Sequence, residues 1–308
     1  MALFIKYHPG KYSKMQFGQD LERIKSAGYD GLFFPVSVLK SSLKQKEKAV
    51  DYQLQSIITH AKSLNLKTGV ILNCFNDPAL YRNDNFTPPG TNLGASYVPE
   101  SEYYPICINN PTGLQSFHQT INKVTGKIVP DYLYLKHFRF PFYWEKEELD
   151  IQSHIPPFCY CPFCITEFSS VVGEIVSTGD QIQQMMPEWL EWRTEVLFNL
   201  LLDVIENVAG RSQLIIALPP LSLIDLPFTT GQLPQLFIEE GCFVSPQLHH
   251  KIKGKNLAWV EDLLDQYQLD LRSNRLFPSF EYSNEKEFEK LANLSGKFPG
   301  IILRRLSE

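Results

Sequence analysis

The chain has 308 residues, of which 44% are hydrophobic and 13% aromatic, enough to build one large core in a single domain. Its formal net charge of -5 argues against a basic surface for neutralising nucleic-acid phosphates. No apolar run approaches the roughly 20 residues that span a bilayer, and Met1 to Tyr7 is too short for a signal-peptide core, so a cytoplasmic location is expected.

Short β-rich runs alternate with longer helical patterns, the signature of βαβ units around a parallel sheet. Ala2 to Tyr7 is the first strand. A helix over Gln16 to Ala27 follows, with Leu21, Ile24 and Ala27 on one face and Gly28 ending it. Gly31 to Val36 is the second strand, Tyr52 to Leu64 a helix, and Lys67 to Asn73 the third strand. Between them, Lys40 to Lys48 is the densest basic stretch, expected to be a solvated helix face.

A long irregular stretch, Phe75 to Pro111, then precedes a helix from Pro111 to Val124 and a fourth strand, Tyr132 to Lys136. A second excursion covers Phe140 to Met186, and Pro187 opens a helix through Val208 with Trp189, Trp192, Val196, Leu200 and Val204 as its stripe. Further strands are expected at Gln213 to Leu218, Cys242 to Ser245, Leu276 to Glu281 and Gly300 to Arg304. Helices at Leu233 to Glu239, Leu257 to Gln268 and Glu285 to Leu294 separate them. Eight strands in one domain over residues 1–308 predict a closed (β/α)8 TIM barrel. In such a barrel the loops after the strands build the site, and the two longest follow strands 3 and 4.

Three of the six cysteines crowd into Cys159, Cys161 and Cys164, too close for an ordinary disulfide framework. Thiolates at this spacing suit a tetrahedral zinc ion, and Cys107 in the other long loop is available as the fourth ligand. His154 is an alternative fourth ligand, and a set of buried thiols without an ion is another reading. With four protein ligands the metal would be structural, stapling two loops together. Cys74 and Cys242 sit in strand patterns and are expected in the core.

The segment Cys107-Ile108-Asn109-Asn110-Pro111, paired with Cys159-x-Cys161-x-x-Cys164, resembles the zinc-binding loops of family-42 β-galactosidases. It also resembles a wider set of bacterial glycosyl-hydrolase-like barrels, in which a strand ending Arg-Tyr-Pro precedes the cysteines. Here Asp131 to Pro141, with Arg139-Phe140-Pro141, is the matching stretch, and Trp189 to Arg193 follows as in that set. The resemblance is strong in motif between Cys107 and Arg193. It implies a glycoside-hydrolase-like protein acting on carbohydrate.

One departure bears on the chemistry. The acid that the resemblance places at the end of strand 4 is Lys136 here, and a lysine supplies neither carboxyl that glycoside hydrolysis ordinarily needs. Glu281, ending strand 7, is the leading catalytic carboxylate, with helix capping near Asn284 or an ion pair with a base such as Lys136 as its plain alternatives. Glu145, Glu147, Glu148 and Asp225 are candidate proton donors, although Glu145 to Glu148 has the look of a solvated face. Lys136 and Arg139 together suit an anionic group on a sugar; a Schiff base at Lys136 is a further alternative.

Sugar rings need flat apolar faces beside polar groups. Tyr7, His8, His137, Trp144, His249 and His250 are the candidates at strand ends and rim loops, with Phe142, Tyr143, Tyr97, Tyr103 and Tyr104 nearby. Three functions stay open: a glycoside hydrolase centred on Glu281, a non-catalytic saccharide- or partner-binding barrel that keeps its zinc, and a lysine-based lyase.

Overall fold

The computed structural model describes residues 2–7, 14–35, 55–99, 103–146, 156, 158–271 and 274–306. Eight parallel strands close into a barrel in sequence order, β1 pairing with β8. They are β1 (Ala2–Lys6), β2 (Gly31–Pro35), β3 (Lys67–Asn73), β4 (Tyr132–Lys136), β5 (Gln213–Leu218), β6 (Phe243–Leu248), β7 (Ser279–Tyr282) and β8 (Gly300–Arg305). Around them run α1 (Lys14–Ser26), α2 (residues 55–63), α3 (Pro111–Lys127), α4 (Pro162–Val172), α5 (Gly179–Gln184), α6 (Met186–Val208), α7 (Asp225–Thr230), α8 (Pro234–Glu239), α9 (Leu257–Leu271) and α10 (Glu285–Leu294).

The expected barrel is present, and the differences have local causes. β6 runs on through Pro246 to Leu248, where the sequence suggests a stop at Ser245; Pro246 sits in register with Leu218. β7 begins only at Ser279, because Pro278 lacks an N–H for the ladder, and Leu276 is left as an isolated bridge to Val244. The second long excursion contains two helices. α4 starts with Pro162 in its first turn and ends on Gly173 at φ 72°, and α5 is held by a capping box between Thr178 and Gln181. α7 was likewise unmarked in the sequence pattern.

Strand alternation divides the core into two layers. Phe4, Phe33, Ile71, Tyr134, Ile215, Ala217, Phe243, Phe277 and Ile302 fill the barrel interior, and a larger cluster fills the space between strands and helices. The interior is unusually aromatic: the rings of Phe4 and Phe33 lie 5.3 Å apart edge to face, and those of Phe243 and Phe277 5.7 Å. Glycines make the room. A Cβ on Gly69 would collide with the Phe33 ring, and one on Gly300 with Phe277.

Below the barrel, Asp131 ties β3 to β4, accepting from the Thr68 amide at 2.9 Å and from the Lys67 ammonium at 3.0 Å. Burial acts to raise its carboxyl, but these donors outweigh it and hold the pKa below the usual value.

Candidate functional site

Phe4, Tyr134, Phe277 and Ile302 point to the barrel axis, so each strand's residue two positions on faces the axis one layer higher. For Ile302 that residue is Arg304, for Tyr134 it is Lys136, and for Phe4 it is Lys6. On β7 two such steps, through Ser279, lead to Glu281, whose register partner is Arg304. Pro35, Asn73 and Gln247 are the corresponding residues on β2, β3 and β6. Among the described residues Glu281 is the one carboxylate at these inward strand ends.

Glu281 is completely buried, and its Oε1 accepts from the amides of Lys251 at 2.8 Å and Ile252 at 3.0 Å. These two donors anchor the loop after β6, while Oε2 is buried without a hydrogen-bond partner. Helix capping, one plain alternative from sequence, falls instead to Asn284, whose Oδ1 accepts from the Glu287 amide.

The three inward cations lie in one another's fields. Burial first, then Lys136 and Arg304, pulls the Lys6 ammonium down to about 7. Burial and the same lysines hold both His137 and His249 far below the ordinary imidazole pKa, Arg139 adding to the first and Arg304 to the second. Both rings are therefore neutral at pH 7.

His137 follows β4 with φ 57°, a left-handed backbone uncommon outside glycine, and its ring lies 5.5 Å from that of Tyr103. Its Nδ1 is buried without a partner. Arg139 is 1% exposed; Nη2 donates to the Phe142 carbonyl at 3.0 Å, and Nε and Nη1 make no hydrogen bond. Trp144 is completely buried beside His249, ring centres 5.9 Å apart, and its Nε1 is unsatisfied. His249 Nε2 meets Ser279 Oγ at 3.2 Å, and His250, near Glu281, leaves Nδ1 unsatisfied. Glu145 is half-buried with Oε2 enclosed and unpartnered, near Tyr103, so it does not belong to a solvated face.

The remaining candidates lie apart. Tyr7 turns to the outer layer, its hydroxyl donating to Asp20 of α1 at 3.0 Å. Asp225 opens α7, accepts from the Ser222 hydroxyl at 2.6 Å, and lines an outer groove between α6 and α8. His8, Lys40 to Lys48, Glu147, Glu148 and His154 lie outside the described residues.

The two long loops meet at the cysteines. Cys107, Cys159, Cys161 and Cys164 are all buried, with their sulfurs within 4.8 Å of one another. A tetrahedral ion with metal–sulfur bonds of about 2.3 Å separates its sulfurs by roughly 3.8 Å, so the set fits such an ion. The Asn109 amide and its side-chain Nδ2 donate to Cys107 and Cys164 sulfurs at 3.4 and 3.5 Å. Cys161 caps α4 and Cys164 lies in its first turn, where the helix dipole favours negative sulfur. Arg193, also buried, carries the compensating charge: its guanidinium donates to the carbonyls of Phe158, Phe228 and Thr229 and lies 4.5 Å over the Phe140 ring. Cys74 and Cys242 are buried in the core, as expected.

Sequence reasoning missed Lys6, Arg304 and Gln232. Lys6 and Arg304 were findable, since each stands two residues beyond an inward apolar residue at a strand's end. Gln232 was not. It is completely buried, and its Nε2 joins the Phe138 and Ala217 carbonyls, setting the path of the chain after β4.

The described strands define a closed (β/α)8 barrel with its charged residues gathered at the C-terminal rim. The glycoside hydrolase domain of PgaB (BpsB) from Bordetella bronchiseptica is similar, with a TM-score of 0.70 and 9% identity over 99% of this chain and 93% of that one. So is the catalytic domain of β-amylase from Paenibacillus polymyxa, at 0.66 and 11% over 98% and 92%. The β-galactosidase of Halorubrum lacusprofundi gives 0.67 and 10% over 98% of this chain and 52% of its own. At such identities the likeness is one of fold. No protein-family model matches the sequence, and no curated protein matches it. No helix among the described residues is long and apolar enough to cross a membrane.

Proposed function

We propose that the protein is a glycoside-hydrolase-like, carbohydrate-active barrel acting at its C-terminal rim. The observation that carries this reading is the concentration of unsatisfied buried hydrogen-bonding atoms there: Arg139 Nε and Nη1, His137 Nδ1, Trp144 Nε1, Gln247 Oε1, His250 Nδ1, Glu281 Oε2 and Glu145 Oε2. Buried polar groups normally have partners, and a ligand bearing many hydroxyls supplies both donors and acceptors. Trp144 and Tyr103 offer apolar faces among them.

In this reading Glu281 is the central carboxylate. Two backbone donors hold its Oε1 in place and leave Oε2 to act as nucleophile or base. Glu145, enclosed near Tyr103, is the second carboxyl and donates the proton. Lys136, where the related barrels place an acid, alters the pair, and with Arg139 it favours a sugar bearing an anionic group. The four cysteines hold a structural zinc ion that fixes the loops after β3 and β4. A reducing, cytoplasmic compartment keeps these thiols available.

A panel of aryl glycosides tests the reading. Turnover by the wild type that is lost in both Glu281→Gln and Glu145→Gln supports it. Turnover that survives both substitutions rejects it. Lys136 also favours a second reading, a barrel that binds saccharide without cleaving it; saccharide affinity with no turnover on any glycoside is its mark.

A further inference from the structure

We infer that the outer groove between α6 and α8 is a docking site for an amphipathic helix of a partner protein, one whose apolar stripe is flanked by lysine or arginine. The inference goes beyond the carbohydrate reading, and the groove shares none of the residues assigned to it.

The groove has a volume of about 700 Å³. One wall is α6, where Leu190, Glu191, Thr194 and Glu195 fall on a single face of two successive turns. The opposite wall comes from α7 and α8 and their approaches, through Ile224, Phe228, Leu233 and Leu236. Ile224 is 87% exposed, and an isoleucine that open is stabilised only when something covers it. Helix faces on both sides suit a third helix, which packs ridge into groove and presents its anchors three and four residues apart. The groove is also preformed. From behind α7 the Arg193 guanidinium donates to the carbonyls of Phe228 at 2.7 Å and Thr229 at 3.1 Å, and Gly231 at φ 72° ends the helix. A partner therefore meets walls already in place, which lowers the entropy cost of docking.

Charge selects the partner. Glu191, Glu195 and Asp225 line the groove, and no basic side chain does. The three helices carry seven acidic residues, five on α6 and one each on α7 and α8, against a single base, Arg193. That base is completely buried and committed to backbone carbonyls. Cationic flanks on the partner match these acids and speed its approach. A second copy of this chain fits less well, because it brings a net charge of -5 to a wall that is already acidic.

Fluorescence anisotropy with three labelled peptides of equal length tests the site. One places leucine and lysine in helical periodicity, one scrambles the same residues, and one keeps the pattern with glutamate in place of lysine. Wild type is expected to bind the patterned lysine peptide about tenfold or more tighter than either control. Ile224→Ser loses most of that preference, and so does Glu191→Lys combined with Glu195→Lys. Asp203→Lys combined with Glu206→Lys, the same change of charge further along α6, keeps it. All five side chains are exposed, so circular dichroism should stay native in each variant. Equal binding of the patterned and scrambled peptides overturns the inference, as does a preference that survives Ile224→Ser and the groove pair. Equal loss in both lysine pairs overturns it too, marking general attraction of a basic peptide to an acidic protein. Wild type that sediments as a dimer, with Ile224→Ser a monomer, puts a second copy in the groove instead. Glycoside turnover is expected to be unchanged in all these variants, so failure here leaves the carbohydrate reading standing.

Discussion

Cys107 and Cys164, 57 positions apart in sequence, bring their sulfurs to 3.2 Å. That is beyond the roughly 2.05 Å of a disulfide, and both thiols are free. Burial pushes the Cys107 and Cys164 thiols well above the usual thiol range, and a bound cation offsets that cost by holding the sulfurs as thiolates. Purified protein is therefore expected to carry one zinc ion per chain by elemental analysis. Cys107→Ser should lose it and melt lower, by about 4 kcal/mol if the ion is present at roughly a thousand times its dissociation constant. Stoichiometric zinc retained by Cys107→Ser would show that Cys107 is not a ligand.

Glu281 holds a loop as well as offering a carboxylate, and two substitutions separate the roles. Glutamine keeps a carbonyl oxygen for the Lys251 and Ile252 amides, so Glu281→Gln should cost about 1 kcal/mol of stability. Alanine strands both donors and should cost about 2 to 3 kcal/mol. Glycoside turnover should vanish in both. Equal stability of the two variants in urea unfolding would mean that the loop does not depend on this carboxylate.

Much of this architecture could be read in advance, and the failures are instructive. The strands at Lys67–Asn73, Tyr132–Lys136 and Gln213–Leu218 are dense apolar runs bounded by polar residues, and their limits match the sequence reading. Prolines 246 and 278 misled in opposite directions, because a proline's effect depends on whether its missing N–H was needed by a neighbouring strand. α4 carried clear signals in Pro162 and Gly173, but the cysteines around it drew the stretch into a loop. The cysteine cluster was legible because ligand chemistry limits the residue types involved. Tyr7 shows the opposite case: strand alternation sends its ring outward to Asp20, and proximity to a strand's end says nothing about which face a residue takes.

Lys6 makes stability depend on pH in a stated direction. Its pKa is about 7 in the folded protein and about 10.4 in an unfolded chain. Between those values the unfolded state binds the extra proton, so this group's contribution to stability rises with pH across the window. Below about 7 the cost of burying the charge is fully present. Lys6→Met removes it, and should stabilise the protein by about 1 to 3 kcal/mol at pH 6, a gain that shrinks toward pH 10. Denaturant unfolding at several pH values measures this. A variant that is less stable than wild type at pH 6 would contradict the crowding of cations in the mouth.

Asp131 works through the opposite sign. Its depressed carboxyl pKa means that its bonds to Thr68 and Lys67 stabilise the protein above the ordinary carboxylate range and are lost as the pH falls through the folded value. Asp131→Ala leaves the buried Thr68 donors unsatisfied and should cost about 1 to 3 kcal/mol at neutral pH, with the difference from wild type narrowing in acid. A pH-independent difference would assign the loss to packing.

The floor of the mouth depends on a residue with no side chain. Gly69 on β3 faces the Phe33 ring so closely that a Cβ would overlap ring carbons, and that ring in turn packs against Phe4, Tyr132, Tyr134 and Phe277. These aromatics lie directly beneath Lys6 and Lys136, so a displaced Phe33 pushes on the layer that carries the cations. Gly69→Ala should cost about 1 to 3 kcal/mol by overpacking, the more so because the closed ladder leaves β3 little freedom to shift. Gly126, near the end of α3, has open space around it, and Gly126→Ala serves as the control that should leave stability within about 0.5 kcal/mol of wild type or slightly improved. Gly69→Ala that is as stable as Gly126→Ala would mean that the interior aromatics repack without strain.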